Sequence, residues 1–318
     1  MCGAVAAAGT YRRHRPEEVP HPARLAEHGE VGRCDDQLPD SRRGWSPSVL
    51  DIDLDQAAPA RVYDHFLGGA HTFAADRALA DRLTAAVPDV ARMAWATRAF
   101  LHRAVCFLVE IGIEQFLDLG CGLLTFGSVH DILQQAAPQA RVVHVDLDAV
   151  TVAYASHAIR TTDRTDRAAA LCADVRYPEA ILNDRDVQRL LDFHQPIAIL
   201  ATAVLHYLSD DDKPSAVLTE YRDATVAGSY LALGHLTADS RPADVTSLVG
   251  IAARFGIPIT PRTRSQIHQM LAGFDLVDPG LVWAPEWRPD RTGDADINNT
   301  GEPDPGRSCV LAGIGCKS

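Results

Sequence analysis

The rhythm of apolar and polar positions changes near residue 49. Before it the chain is polar, rich in Arg, Pro, Glu and His, and without periodicity, which predicts a disordered tail over residues 1–45. After it, helical spacing dominates. Residues 59–69 predict a short helix, with Arg61, Val62, His65 and Phe66 at helical spacing and Gly68-Gly69 as its stop. Residues 74–86 predict a second helix, closed by Pro88. Residues 89–111 predict a long amphipathic helix whose apolar positions Met93, Ala96, Phe100, Ala104, Phe107 and Leu108 fit a helical period. From Gln115 the rhythm alternates. Short apolar runs over 115–119, 141–146, 168–173, 197–203 and 229–233 predict strands, and helical patterns at 126–137, 149–159, 178–191 and 212–226 fill the gaps. Such alternation predicts a parallel sheet covered by helices on both faces. Helices at 242–254 and 264–272 follow, then strands at 276–283 and 309–316. Between those two strands runs a long, acidic, Pro- and Gly-rich loop, 286–308, of the kind that is functional or disordered.

Composition narrows the function classes. The 318 residues are 47% hydrophobic, enough to bury a sizeable core. The net charge of −12 argues against sequence-independent binding of nucleic acid, which rests on Lys and Arg neutralising phosphates. Small-molecule or cationic partners fit better. The seven cysteines, Cys2, Cys34, Cys106, Cys121, Cys172, Cys309 and Cys316, show no C-x-x-C spacing and no accompanying His cluster. They predict reduced thiols in a cytoplasmic protein and no metal site. No apolar segment is long enough to span a membrane, and the Ala-rich start lacks the basic region of a signal peptide. Oligomeric state is open.

The chemistry concentrates where the first strand ends. Asp118-Leu119-Gly120-Cys121-Gly122 closes an apolar run, and a second apolar run ends in Asp146. Strand, glycine turn, helix, strand, acid is the order of a nucleotide-binding βαβ unit. The glycines allow close backbone approach, and a carboxylate at Asp146 can accept both hydroxyls of a ribose. Leu124 and Thr125 stand where a dinucleotide fingerprint needs its third glycine, while Asp118 adds an acid before the turn. This favours a ligand with an amine and a ribose over one with a pyrophosphate, and S-adenosyl-L-methionine is the candidate. Asp118, Gly120 and Gly122 would hold its methionine moiety. Asp148 competes with Asp146 for the ribose, or caps the next helix.

The element order, the Asp118-x-Gly120-x-Gly122 turn and Asp146 resemble class I S-adenosylmethionine-dependent methyltransferases. The segments Arg61-Val62-Tyr63-Asp64-His65-Phe66-Leu67-Gly68-Gly69, Phe73-Ala74-Ala75-Asp76-Arg77, Arg98-Ala99-Phe100-Leu101 and Glu286-Trp287-Arg288-Pro289 are similar to an actinobacterial methyltransferase family formerly a domain of unknown function. The resemblance implies an α/β, Rossmann-like, seven-stranded and mostly parallel sheet with an added N-terminal helical segment. It implies a methyltransferase domain over 46–318, with a helical cover at 46–111 and the Rossmann-like core at 112–318. The resemblance leaves the acceptor unassigned, and the expectation is an unidentified small molecule. It also implies that Asp174 accepts the adenine amino group while Val175 packs on the ring; the alternative is a helix-entry turn before Pro178. The family usually carries Lys-Asp-Asn-Phe where Ala70-His71-Thr72-Phe73 stand, Asn at Thr97 and Pro at Leu124.

Ala201 to Tyr207 close the fourth strand, where the sheet edge faces cofactor and acceptor. His206 is the best-placed general base there, since imidazole titrates near neutrality; packing in the wall is its alternative. Tyr63, Asp64 and the Gly68-Gly69 break form a lid over the cofactor or merely close the apolar end of the sheet. Trp283 and Trp287 line an acceptor pocket or anchor core and loop. Arg61, Arg77 and Arg98 read as helix-surface ion pairs. Two other readings stand beside methyl transfer: a non-catalytic S-adenosylmethionine-binding sensor or partner protein, and a nicotinamide-dependent oxidoreductase.

Overall fold

A computed structural model describes residues 53–125, 127–289 and 304–318. The expected tail over 1–45 and most of the expected 286–308 loop lie outside the described residues. Three helices precede the sheet: α1 (Pro59–Phe66), α2 (Ala74–Ala86) and α3 (Val90–Glu110). Then come β1 (Gln115–Leu119), α4 (Val129–Ala136), β2 (Arg141–Asp146), α5 (Ala149–Thr161), β3 (Ala168–Cys172), α6 (Pro178–Leu182), α7 (Arg185–Leu190) and β4 (Ala198–Thr202). The chain continues through α8 (Pro214–Asp223), β5 (Tyr230–Leu236), α9 (Pro242–Ala253), α10 (Arg264–Met270), β6 (Asp275–Leu276), β7 (Val282–Trp283) and β8 (Val310–Cys316).

The strands form one sheet in the order β3-β2-β1-β4-β5-β8-β6, with β7 also paired to β8. β1 to β5 are mutually parallel, and β8 runs antiparallel beside β5. Chain order turns back between β1 and β4. Connections leave these two neighbours in opposite directions, so a crevice opens beyond their carboxyl ends. The fold is thus mostly parallel and Rossmann-like, with eight strands where seven were expected. The predicted strand over 276–283 divides into β6 and β7. Pro279 has no N–H to give a ladder, and Gly280 turns the chain at φ 86.

Period-two alternation builds two cores, one on each face. Phe116 and Val142 turn to the face covered by Phe100, Ala104 and Leu108 of α3 and by Leu133 of α4. Leu117 and Val143 turn to the opposite face, against Ile181, Leu190 and Tyr221. A third cluster joins Val62, Leu79 and Met93 of the N-terminal helices to Leu248 of α9 and Leu236 of β5. The N-terminal segment therefore sits across the carboxyl end of the sheet.

Helix ends moved where local chemistry overrode periodicity. The helix expected from residue 126 starts at Val129, because Gly127 is left-handed (φ 70) and Ser128 caps, its Oγ accepting from Asp131 N. The helix expected over 178–191 breaks in two at Asn183, where Asp184 caps the second piece. Trp287 is a core residue and not a pocket wall: it is fully buried edge-on to Phe100 (5.4 Å) and Phe107 (5.8 Å), and its carbonyl accepts from Arg103 Nε. Trp287→Ala should cost roughly 3–5 kcal/mol. Urea unfolding with a loss below about 1 kcal/mol would contradict this placement.

Candidate active site

Both glycines of the turn lie in the left-handed region, Gly120 at φ 70 and Gly122 at φ 62. The amides of Gly120 and Cys121 both donate to the Val145 carbonyl, so β2 fixes the turn. Their environments differ. A side chain on Gly120 would meet Val204 Cγ2 at 2.5 Å, whereas nothing lies within 4 Å of the corresponding position on Gly122. Val204, just past β4, thus packs on the first glycine, and the second leaves its backbone open.

Asp146 ends β2 beside that opening. Its Oδ2 accepts from Gly122 N (2.9 Å) and its Oδ1 from Asp148 N (3.0 Å). Burial pushes its carboxyl up to about 6, against the pull of those amides. Asp148 is the N-cap of α5, accepting from Val150 N and from the Thr151 hydroxyl. Its capping alternative is the geometry observed.

Asp118 lies buried in β1, directly opposite His144 in the parallel register. Its Oδ2 pairs with His144 Nδ1 at 2.9 Å. Cys121 completes a trio whose ligand-type atoms all lie within 4.8 Å of one another. Burial, then Asp146, then Asp118 push the Cys121 thiol well above its ordinary range, so it stays protonated. The trio forms a packed polar support under the turn.

The cover is tied to this site by buried cations, which corrects the expectation of surface ion pairs for Arg61 and Arg98. Arg61 is 2% exposed. Its Nε donates to Asp76 (2.8 Å), one Nη to Asp148 (3.4 Å) and the other to the Gln56 carbonyl. Asp76 also accepts from the amides of Ala58 and Phe73. Arg98 donates to the Gly127 carbonyl and lies over the Tyr63 ring at 5.5 Å. The Tyr63 hydroxyl donates to the Ala94 carbonyl. Gly69 presses on Asp64 so closely that any side chain there would run into the Asp64 carboxylate. Arg77 is exposed, as expected, and donates to the Thr72 carbonyl.

Four predicted positions differ from expectation. Both oxygens of Asp174 are held by the Arg176 guanidinium, which also reaches Asp212 at 3.3 Å. Val175 is buried among Tyr221 and the lower core. Ala201 is fully buried in mid-strand between β1 and β5, two residues short of the site, and offers no surface to a cofactor. Ala203, left-handed at φ 57, and Val204 occupy the strand end instead. His206 sits in the short turn after β4, with its ring against Tyr207 (4.4 Å) and His235 (5.7 Å). Burial, then His235 and Arg262, lower its pKa to about 3. A ring that neutral is too weak a base to take a proton near pH 7, so the general-base reading yields to packing in the wall.

An apolar cavity of about 110 Å³ adjoins this strand end, roofed by α1 to α3 and walled by α9. Tyr63, Thr97, Ala203, His206 and Tyr207 line the side nearest the glycine turn.

The sequence model of the family described as S-adenosyl methyltransferase matches residues 46–318. The chain belongs to that family. Among solved structures it is similar to a Thermobifida fusca protein assigned as a methyltransferase, at 40% identity and a TM-score of 0.75, covering 86% of this chain and 99% of that one. It is also similar to a DUF574 family protein from Streptomyces avermitilis, at 30% identity and a TM-score of 0.78, covering 84% of this chain and 99% of that one. No curated protein matches.

Sequence reading missed His144, Val204 and the buried roles of Arg61 and Arg98 in this family member. His144 was findable: it falls four residues into a strand whose register against β1 puts it opposite Asp118. Val204 was not, since only strand order brings it over Gly120. The two glycines give a test of the geometry. Gly120→Val meets both a left-handed backbone and Val204, and should cost about 2–4 kcal/mol. Gly122→Ala meets only the backbone and should cost about 1 kcal/mol. Equal losses in urea unfolding would refute the asymmetry.

Proposed function

We propose that this protein is an S-adenosylmethionine-dependent methyltransferase acting on a small-molecule acceptor. The observation that carries the reading is the open Gly122 backbone with the Asp146 carboxylate hydrogen-bonded beside it at the end of β2, next to an apolar cavity. The residues fit the cofactor chemically. The Gly120–Gly122 turn would take the methionine end, with Asp118 positioned under it. Asp146 would accept the ribose hydroxyls while its two amide bonds hold it in place. Asp174, at the end of β3, would edge the adenine with its carboxylate already bound by Arg176. Tyr63 and Gly69 would close the cover over the site and exclude water. A cytoplasmic location goes with this reading and with the free cysteines of the described residues.

When bound, the cofactor would supply a sulfonium methyl to an acceptor lone pair, the S–CH3 electron pair returning to sulfur. The chain contributes by holding the acceptor in line and dry, the effect that supplies most of such a rate. No base is needed when the acceptor nucleophile is reactive as a neutral molecule.

Calorimetry should show S-adenosylhomocysteine binding to the folded chain and no binding of NAD. Heat with NAD alone would favour the oxidoreductase. The pH dependence follows from Asp146. Ribose hydroxyls and both amides need the ionised carboxylate, so affinity should fall about tenfold from about pH 7.5 to about pH 5 as the group with a pKa of about 6 takes up one proton. For folding the sign is reversed. A carboxyl raised from 3.8 to about 6 in the folded state favours that state at low pH, and the contribution is lost as pH rises through that window. Asp146→Asn should bind weakly throughout and show no step; a step that survives in that variant belongs to another group.

A further inference from the structure

Every side chain lining the cavity is uncharged in composition or held neutral by its surroundings. Val62, Phe66, Leu79, Leu83 and Met93 form its roof, and Leu248, Ala252 and Ile257 its far wall. Among the described residues, no Asp, Glu, Lys or Arg lines it. Two of the polar side chains that do are already used: the Tyr63 hydroxyl donates to the Ala94 carbonyl, and the Thr97 hydroxyl to the Met93 carbonyl, while the buried His206 Nδ1 has no partner among the described residues. The nearest cations are committed elsewhere, Arg98 to the Gly127 carbonyl and the Tyr63 ring, and Arg262 to the carbonyls of Leu205 and Leu208 and to Asp210. His206 is neutral down to about pH 3, and burial raises the phenols of Tyr63 and Tyr207. A charged ligand entering here would lose its hydration and gain no counter-charge.

Size and wall chemistry narrow the occupant further. An apolar cavity of roughly 150 Å³ accepts benzene, and this one measures about 110 Å³ beside a movable Met93. Phe66, Tyr63, Tyr207 and His206 present ring faces and edges, which favour a planar aromatic guest over an aliphatic one. The position suits an acceptor. Ala203, His206 and Tyr207 flank Val204, the residue that covers Gly120, and Tyr207 lies near enough to Asp146 that the carboxylate helps raise its phenol. We propose that this cavity is the acceptor subsite and that it takes an uncharged molecule with a single aromatic ring. This rests on the methyltransferase reading of the adjoining turn. It adds that the nucleophile enters as a neutral amine: its lone pair would take the methyl, the positive charge would pass from sulfur to the methylated ammonium, and that proton would be lost to water on release, because no lining group is a base near neutrality.

The test uses the whole chain and reads binding rather than turnover. Fluorine NMR would follow fluorobenzene and fluorophenol as uncharged probes, and fluorobenzoate and fluorobenzylammonium as charged ones of similar shape, with and without S-adenosylhomocysteine. The uncharged pair should bind at least about tenfold more tightly than either charged probe. Ala252→Phe, which fills the far wall, should abolish probe binding and leave S-adenosylhomocysteine binding intact. Leu248→Ala, which widens it, should admit fluoronaphthalene, which the unaltered protein excludes. The proposal is overturned if the uncharged probes do not bind, if a charged probe matches them, or if folded Ala252→Phe binds them unchanged. Should Ala252→Phe not fold, failure of Leu248→Ala to gain fluoronaphthalene overturns it equally. Calorimetry on the same sample separates the two readings. Cofactor heat without probe binding removes the acceptor proposal alone, and probe binding without cofactor heat removes the methyltransferase reading and with it the acceptor role, leaving only a site for uncharged rings.

Discussion

The buried guanidinium of Arg61 is the constraint on which the arrangement rests. A cation taken out of water must be fully paired, or its desolvation cost exceeds what its neighbours return. Its partners come from three places in the chain: Asp76 of the second helix, Asp148 at the cap of α5, and the Gln56 carbonyl before the first helix. Satisfying one residue thus fixes how the N-terminal helices sit against the end of β2. Asp148 in turn donates its amide to Asp146, so the same network that seats the cover also holds the carboxylate at the end of β2. Cover and strand end are one electrostatic unit.

Polar support of this kind contrasts with the space it frames. Around the glycine turn nearly every polar group has a partner, and the support beneath it runs from Cys121 through Asp118 to His144. Around the neighbouring cavity the walls are apolar and ring-rich. A cationic, hydrogen-bonding cofactor and an uncharged acceptor would have opposite solvation needs, and the proposed sites for them lie in adjacent regions divided by Val204 and the residues after it. Val204 belongs to both: it packs on Gly120 on one side and precedes the cavity wall on the other.

His206 shows how burial changes what a residue type can do. An imidazole at a strand end beside a ligand cleft reads as a base, yet the same position surrounds it with His235, Arg262 and Tyr207 and lowers its pKa to about 3. It then serves as a flat neutral wall. Methyl transfer tolerates this, because alignment and exclusion of water carry most of the rate.

The alternation of short apolar runs with helical patterns was enough to determine a mostly parallel Rossmann-like sheet, and the Asp118–Gly122 turn and Asp146 to set these residues at the carboxyl ends of neighbouring strands. These signals are local: strand period, glycine geometry and a carboxylate at a strand end are set by residues close in sequence. Tertiary structure alone decided the rest. The registers in which β6 and β7 each pair with β8 are tertiary. The burial of Arg61 and Arg98 depends on what covers their helices, and helical periodicity cannot distinguish a solvated guanidinium from a buried one with distant partners. The difference between Gly120 and Gly122, the burial of Ala201 and the neutral state of His206 all depend on strand order. Strand order sets β4 beside β1 with β5 next to it, and nothing in residues 118–122 or 201–206 records that neighbourhood.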